Sequence, residues 1–116
     1  MKISVKQADT VAQVAIAGEM TIYSAAELKE ALLAAVRCGE VVEIDLAEVS
    51  ELDTAGLQQL LLARREATRE GKSFSLREAS RAVGALLDMY RMRGDTLEPV
   101  DFGNEAAPIS NGRSAT

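Results

Sequence analysis

Asp53, Thr54 and Gly56 stand together where a predicted loop gives way to a long helix. An acid and a hydroxyl at a helix start can serve as caps, because their oxygens accept backbone N–H groups of the first turn. The Asp53 carboxylate also opposes the positive end of the helix dipole. A phosphoryl group on the Thr54 hydroxyl would meet unpaired backbone N–H groups and add about −1.5 to −2 charges beside Asp53. The residue types therefore leave a helix cap and a phosphorylation site open.

Gly56 indicates that helix stability alone did not select this sequence. Glycine inside a helix costs about 1 kcal/mol relative to alanine, whereas its lack of a side chain lets another backbone approach closely. The loop after a strand also lies at the carboxyl end of the sheet, where α/β folds usually place their sites. We therefore expect a crowded joint with the Thr54 hydroxyl facing outward.

Other charged residues offer weaker candidates for chemistry. Glu43 and Asp45 share one face of the preceding strand, and paired carboxylates can perform general acid–base catalysis. No partner group surrounds them in the sequence, so structural or solvated acids are the favoured interpretation. Arg64, Arg65 and Arg69 on the next helix could contact an acidic partner, although solvated helix charge is the simpler interpretation.

Apolar residues before the first helix have two possible uses. If Met20, Ile22 and Tyr23 lie beside Thr54, they are exposed anchors for a partner, since Met and aromatic residues favour protein interfaces. They could equally close the end of the core. Cys38, near the end of the first predicted helix, is interpreted as inert packing.

The composition excludes several classes of protein. The chain has 116 residues, about one domain, and its net charge of −5 argues against nucleic acids and polybasic membrane binding. It contains no His, which removes Ser-His and Cys-His nucleophiles and His-based metal sites. A lone cysteine fits a reducing cytoplasm, and no apolar run approaches the ~20 residues that span a bilayer. We therefore expect a cytoplasmic, non-catalytic protein without cofactors that binds another protein.

Strands and helices alternate along the chain. The opening strands form a predicted hairpin that ends at Gly18, and Ser24 with Glu27 predicts a capping box for the first helix, which Gly39 stops. Ser80 is the predicted cap of the third helix. The remaining predicted segments are a central strand at 41–46, a helix after Asp53, a short strand at 73–76 and a weak last strand at 96–100.

This order predicts an α/β fold with a mixed sheet of four to five strands and about three helices, mainly on one face. Each helix has one apolar stripe, which favours one helical layer on one sheet layer. Residues 1–102 are expected to form the single domain, and residues 103–116 a disordered C-terminal tail.

The stretch from Val41 to Met92 resembles a STAS domain, the fold of bacterial anti-sigma factor antagonists, and the resemblance covers about residues 2–101. Its most specific part is the D-[S/T]-x-G-L turn. Here that turn reads Asp53-Thr54-Ala55-Gly56-Leu57, after the strand VVEIDLAEVSELD and before a leucine-rich helix. The third helix adds the pattern Ser80-x-x-Val83-x-x-Leu86-Leu87.

The resemblance implies that Thr54 is phosphorylated by a partner serine/threonine kinase of the histidine-kinase-like ATPase fold. The unphosphorylated form would bind this kinase, the phosphorylated form would release it, and a phosphatase would reset the switch. The predicted partner-binding surface comprises Asp53, Thr54, Ala55, Gly56, Leu57, Gln58, Met20 and Tyr23.

Two departures from the family pattern widen the choice of pathway. Ala55 replaces a second hydroxyl, and Thr21 stands where an acid is common in the loop after the second strand. The segment GEMTIYSAAELK is similar to small STAS proteins of chemotaxis and two-component systems. The D-T-x-G-L form also resembles the STAS subunit that braces the ATPase of a lipid-trafficking ABC transporter, which is the alternative function.

Overall fold

The computed structural model describes residues 1–98, so the predicted tail at 103–116 lies outside the described residues. Within them the elements follow the predicted order, with one added 3₁₀ helix. The strands are β1 (Lys2–Ala8), β2 (Val11–Met20), β3 (Val41–Leu52) and β4 (Ser73–Ala79). The helices are the 3₁₀ helix (Ile22–Ser24), α1 (Ala25–Cys38), α2 (Thr54–Arg69) and α3 (Arg81–Met89).

The four strands form a mixed sheet in the order β1-β2-β3-β4. β1 and β2 pair antiparallel, whereas β2 with β3 and β3 with β4 pair parallel. Both parallel crossovers step in the same direction across the sheet, and because such crossovers are right-handed, α1 and α2 lie on the same face. The predicted α/β class and its mixed sheet are confirmed.

The core lies between the helices and one face of the sheet. Every second residue along the middle of β2 and β3 is buried, as a strand with one covered face requires. The core is aliphatic, and Phe74 packs at its edge. The largest fully buried side chains of the strands and helices are Val14, Ile16, Met20, Val42, Ile44, Leu46, Leu28, Leu32, Val36, Leu60 and Leu87.

The start of α1 differs from the prediction. Ser24 occupies the N-cap position but makes no side-chain cap bond to α1, so the predicted box with Glu27 is wrong. The added 3₁₀ turn explains this, because the Ser24 hydroxyl accepts the backbone N–H of Thr21 at 3.0 Å instead. Thr21 in turn accepts the Tyr23 N–H at 3.3 Å. Gly39 is the C-cap of α1, as predicted.

The strands that lead to the joint are longer than predicted. β2 continues past Gly18 to Met20, and β3 continues past Leu46 to Leu52. Gly18 does not end its strand. It takes a φ of 101°, a conformation that glycine adopts easily, at a shift in the register with β3. Pairing between the two strands resumes after this shift. Met20 and Leu52 are consequently register partners, which brings the ends of both strands to the same place.

The weak strand predicted at 96–100 is not formed by residues 96–98, and residues 99 and 100 lie outside the described part. Leu97 has a φ of 62°, which is incompatible with an extended strand. It is nevertheless buried, with 1% of its surface exposed, so this segment covers the core without pairing as a strand.

Candidate functional site

Asp53 holds together the joint between β3 and α2. As the N-cap of α2, its Oδ1 accepts the Gly56 N–H at 2.9 Å. Its Oδ2 accepts the N–H of Ile22 at 3.0 Å, and its own N–H donates to the carbonyl oxygen of Met20 at 3.2 Å. Asp53 therefore makes the predicted cap and also fastens the segment after β2 to the start of α2.

Gly56 is required by the closeness of that segment. A Cβ at position 56 would lie 2.3 Å from the carbonyl oxygen of Met20 and 2.9 Å from Cδ1 of Leu52. The prediction that another backbone approaches Gly56 is confirmed, and that backbone belongs to the end of β2.

Thr54 is the first residue of α2, and its side chain is exposed. Its Oγ1 lies 3.2 Å from the hydroxyl oxygen of Tyr90, and either atom can be the donor. Because Asp53 makes the cap, the Thr54 hydroxyl stays at the surface beside the end of α3.

Tyr90 reaches Thr54 because α3 runs along the far part of β3. The backbone N–H of Ser80, just before α3, donates to the carbonyl oxygen of Leu46 at 3.2 Å. From there α3 packs against β3 and ends at Met89, one residue before Tyr90. The structure leaves 45% of Tyr90 exposed.

Burial divides the residues predicted to bind a partner. Met20 and Leu57 are 0% and 3% exposed, so their side chains belong to the core, and Gly56 is buried as well. The sequence left two uses open for Met20, and the structure shows that Met20 closes the end of the core. Tyr23, in contrast, is 98% exposed. The other members of the predicted set are Asp53 and Ala55, which are half-buried, and Thr54 and Gln58, which are exposed.

Comparison with known proteins identifies the family. The family model described as "Mlab, STAS domain" matches residues 3–99. The chain belongs to the STAS domain family. The resemblance to a STAS domain, stated from the sequence, is confirmed by this match.

A relative of this STAS protein is an anti-sigma factor antagonist. The anti-sigma-B factor antagonist of Bacillus subtilis (strain 168) is 33% identical over 93 residues, which are 80% of this chain and 85% of that protein. The chain is therefore an anti-sigma factor antagonist-like STAS protein.

Solved structures agree in fold. An anti-sigma factor antagonist from Mycobacterium paratuberculosis has a TM-score of 0.69 at 24% identity, covering 77% of this chain and 76% of that one. The unphosphorylated form of the anti-sigma factor antagonist SpoIIAA has a TM-score of 0.67 at 13% identity, covering 77% and 80%. The phosphorylated form of Bacillus SpoIIAA has a TM-score of 0.56 at 11% identity, covering 78% and 100%.

Glu43 is a structural acid on the open face of the STAS sheet. Its Oε1 accepts hydrogen bonds from Gln13 at 3.1 Å and Arg77 at 3.0 Å, and these bonds hold the pKa of Glu43 below its ordinary value. Asp45 accepts the Ala47 N–H at 2.9 Å. This arrangement joins β2, β3 and β4 and supports the structural interpretation over an acid–base pair.

Two further residues singled out in the sequence are Arg69 and Cys38. Arg69 pairs with Glu66 at 3.2 Å on the exposed side of α2, as solvated helix charge does. Cys38 is exposed as a free thiol, so its predicted packing role is wrong. Across residues 1–98 no helix combines the length and hydropathy that a bilayer span requires, and no group of side chains there is arranged to hold a metal ion.

Proposed function

We propose that this STAS protein is a non-catalytic regulatory module whose binding to a signalling partner is switched by phosphorylation of Thr54. The partner is a serine/threonine kinase of the histidine-kinase-like ATPase fold, of the anti-sigma factor type. One observation carries the proposal: Asp53 caps α2, so the exposed Thr54 hydroxyl is available without loss of the helix start.

The modification is a phosphoryl transfer from ATP bound to the kinase. A lone pair of Thr54 Oγ1 forms a bond to the γ-phosphorus, and the bond from that phosphorus to the oxygen bridging it to the β-phosphorus breaks, so that ADP leaves. The hydroxyl proton passes to a base of the kinase. This STAS protein supplies the acceptor oxygen, and the partner supplies the nucleotide and the base.

The proposed docking surface consists of Ile22, Tyr23, Thr54 and Gln58. The first two are 66% and 98% exposed, and the bond from Ile22 to Asp53 holds them beside the joint. A large apolar side chain and an aromatic ring kept in solvent are typical anchors of a protein interface. Asp53, Gly56 and Leu57 shape this surface from below.

Phosphorylation would change the docking surface more than the fold. The added charge of about −1.5 to −2 would lie one residue from the Asp53 carboxylate, which is committed to two backbone N–H groups. A partner that fits the neutral hydroxyl would then have to remove water from a phosphate that lies beside the like-charged Asp53 carboxylate. We infer that the phosphorylated protein releases the partner and that a phosphatase restores binding.

The relatives support this proposal through their descriptions. The B. subtilis relative is named for antagonism of an anti-sigma factor, and SpoIIAA is described in unphosphorylated and phosphorylated forms. A STAS fold can therefore carry such a modification in that protein. The proposal places the present protein in the cytoplasm, where the kinase finds ATP.

Parallel capture with three baits from the native cell tests the proposal. The baits are the wild type, Thr54→Glu and the matched control Thr68→Glu, which adds the same charge at an exposed threonine near the other end of α2. We expect the wild type and Thr68→Glu to capture a kinase and Thr54→Glu to lose it, with phosphate on Thr54 of the protein isolated from cells. Capture of the same kinase by all three baits would contradict the switch.

The alternatives predict different captured proteins. If the protein instead braces the ATPase of a lipid-trafficking ABC transporter, all three baits should retain that ATPase. A chemotaxis or two-component partner would be captured by the wild type in place of an anti-sigma factor, with the same loss in Thr54→Glu.

A further inference from the structure

Tyr90 contacts the Thr54 hydroxyl from outside α2. The two oxygens lie 3.2 Å apart, although 36 residues separate them in the chain. Tyr90 is the C-cap residue of α3, and its backbone N–H donates to the Leu86 carbonyl at 3.1 Å. The contact therefore links the end of α3 to the start of α2 through a side chain that is nearly half exposed.

We propose that Tyr90 binds the phosphoryl group on Thr54, so that phosphorylation fastens the end of α3 to the start of α2. The inference rests on the proposed function, since it describes the phosphorylated state of that site. It makes Tyr90 a positioning residue that acts on the modified threonine. It also makes the end of α3 the part of the molecule that changes with the modification.

The chemistry of the two groups favours the phosphorylated state. A phenol hydroxyl is a hydrogen-bond donor, and the oxygens of a phosphoryl group are strong acceptors that extend outward from Oγ1. A bond from a neutral donor to an ionised acceptor is shorter and about twice as strong as one between neutral groups. The contact between Tyr90 and Thr54 is thus weak before phosphorylation and stronger after it.

The carboxylate of the neighbouring Asp53 is held by backbone donors of the joint. Both carboxylate oxygens of Asp53 already accept backbone N–H groups, from Gly56 at 2.9 Å and from Ile22 at 3.0 Å. Breaking either bond would leave a backbone donor of the joint without its partner, which is costly where that donor is buried. The Tyr90 hydroxyl itself contacts Thr54 and is therefore in place to donate to a phosphate on that residue.

A tighter contact at Tyr90 should be measurable in the backbone that follows it. The amides of Arg91 and Met92 donate to the carbonyl oxygens of Asp88 and Leu87 at 3.0 and 2.9 Å, closing the last turn of α3. Local opening of such a terminal turn governs the exchange of its amide hydrogens. A bond that holds Tyr90 to α2 lowers the population of the open turn and slows this exchange.

Amide hydrogen exchange on the full chain tests the proposal without any partner. Phosphothreonine is placed at position 54 during translation, in the wild-type, Tyr90→Phe and Tyr23→Phe backgrounds. Phenylalanine keeps the ring and removes only the hydroxyl, so the fold of each variant is retained. We expect phosphorylation to slow exchange at Arg91 and Met92 by about threefold or more in the wild type and Tyr23→Phe, but not in Tyr90→Phe.

The comparison separates a phosphate contact from a merely structural role. If Tyr90 only packs, its replacement changes exchange equally with and without phosphate, and the proposal is overturned. Absence of slowing in the wild type overturns it as well. Since no kinase is used, this result is independent of whether a kinase or a transporter ATPase is captured in the cell.

Discussion

At the scale of single residues, position 56 illustrates how tightly the joint is built. Replacing Gly56 by alanine would put a Cβ 2.3 Å from the carbonyl oxygen of Met20, which the Asp53 N–H and the pairing of β2 with β3 hold in place. We expect Gly56→Ala to lower the free energy of unfolding by about 1–3 kcal/mol, because the end of β2 must shift. Urea unfolding followed by circular dichroism measures this.

Gly84 provides the matched control, since it lies inside α3 and a Cβ there would meet nothing within 4 Å. Gly84→Ala should therefore stabilise the protein by about 0.5–1 kcal/mol, through the ordinary helix preference of alanine. If both substitutions stabilised the protein to the same degree, the close approach at Gly56 would be refuted.

Asp53 caps α2 and Thr54 does not, which gives a second prediction at this scale. Asp53→Ala removes a cap and the bond to Ile22, so we expect a loss of about 1–2 kcal/mol in unfolding free energy. Asp53→Asn retains one acceptor oxygen and should lose less. Thr54→Val should change stability by less than about 0.5 kcal/mol, because its hydroxyl does not cap the helix.

Thermal or chemical unfolding of the three variants decides this point. A Thr54→Val variant as damaged as Asp53→Ala would mean that the threonine is a structural cap, which would remove the main support for its role as a phosphorylation site.

At the scale of elements, Glu43 connects three strands across the open face of the sheet. Its lowered pKa means that the folded state favours the ionised carboxylate, which accepts bonds from Gln13 on β2 and Arg77 on β4. The stability that it contributes is present above about pH 4.5, the ordinary glutamate value, and is lost as the pH falls through the lowered folded-state pKa.

We therefore expect unfolding free energy to fall more steeply below pH 4.5 in the wild type than in Glu43→Gln. Urea titrations between neutral pH and about pH 3 measure the slope. Glu48→Gln, on an exposed part of β3, is the matched control and should retain the wild-type slope. Identical slopes for the wild type and Glu43→Gln would show that these bonds do not stabilise the ionised acid.

The elements themselves were largely predictable from local patterns. Apolar spacing identified the three helices, and the turn residues and alternation identified the hairpin and the parallel strands. The strand ends were not predictable, because β2 and β3 continue through residues whose pairing depends on long-range register and a bulge at Gly18.

The sequence found Asp53, Thr54 and Gly56 because capping chemistry and glycine are local signals. It missed the contact of Tyr90 with Thr54, because that contact requires the full length of β3 and the path of α3 along it. The family resemblance also included Leu57 in the partner-binding surface, whereas the first turn of α2 buries it. A family pattern identifies which positions matter without showing which of them face solvent.

At the scale of the whole molecule, stability and partner binding should depend on different residues. Tyr23 is 98% exposed and lies outside the core, so Tyr23→Ala should leave the unfolding free energy unchanged while weakening capture of the partner. Leu60 is fully buried, and Leu60→Ala should cost about 2–5 kcal/mol. Unfolding curves and capture yields of the two variants test this separation, which would fail if Tyr23→Ala bound the partner as well as the wild type.

The central claim is that phosphate on Thr54 controls binding to the kinase. The most direct measurement is isothermal titration calorimetry of the captured kinase with the unmodified protein and with protein carrying phosphothreonine at position 54. The account predicts that phosphorylation weakens the affinity by about tenfold or more, equivalent to about 1.4 kcal/mol. Equal affinities for the two forms would contradict it.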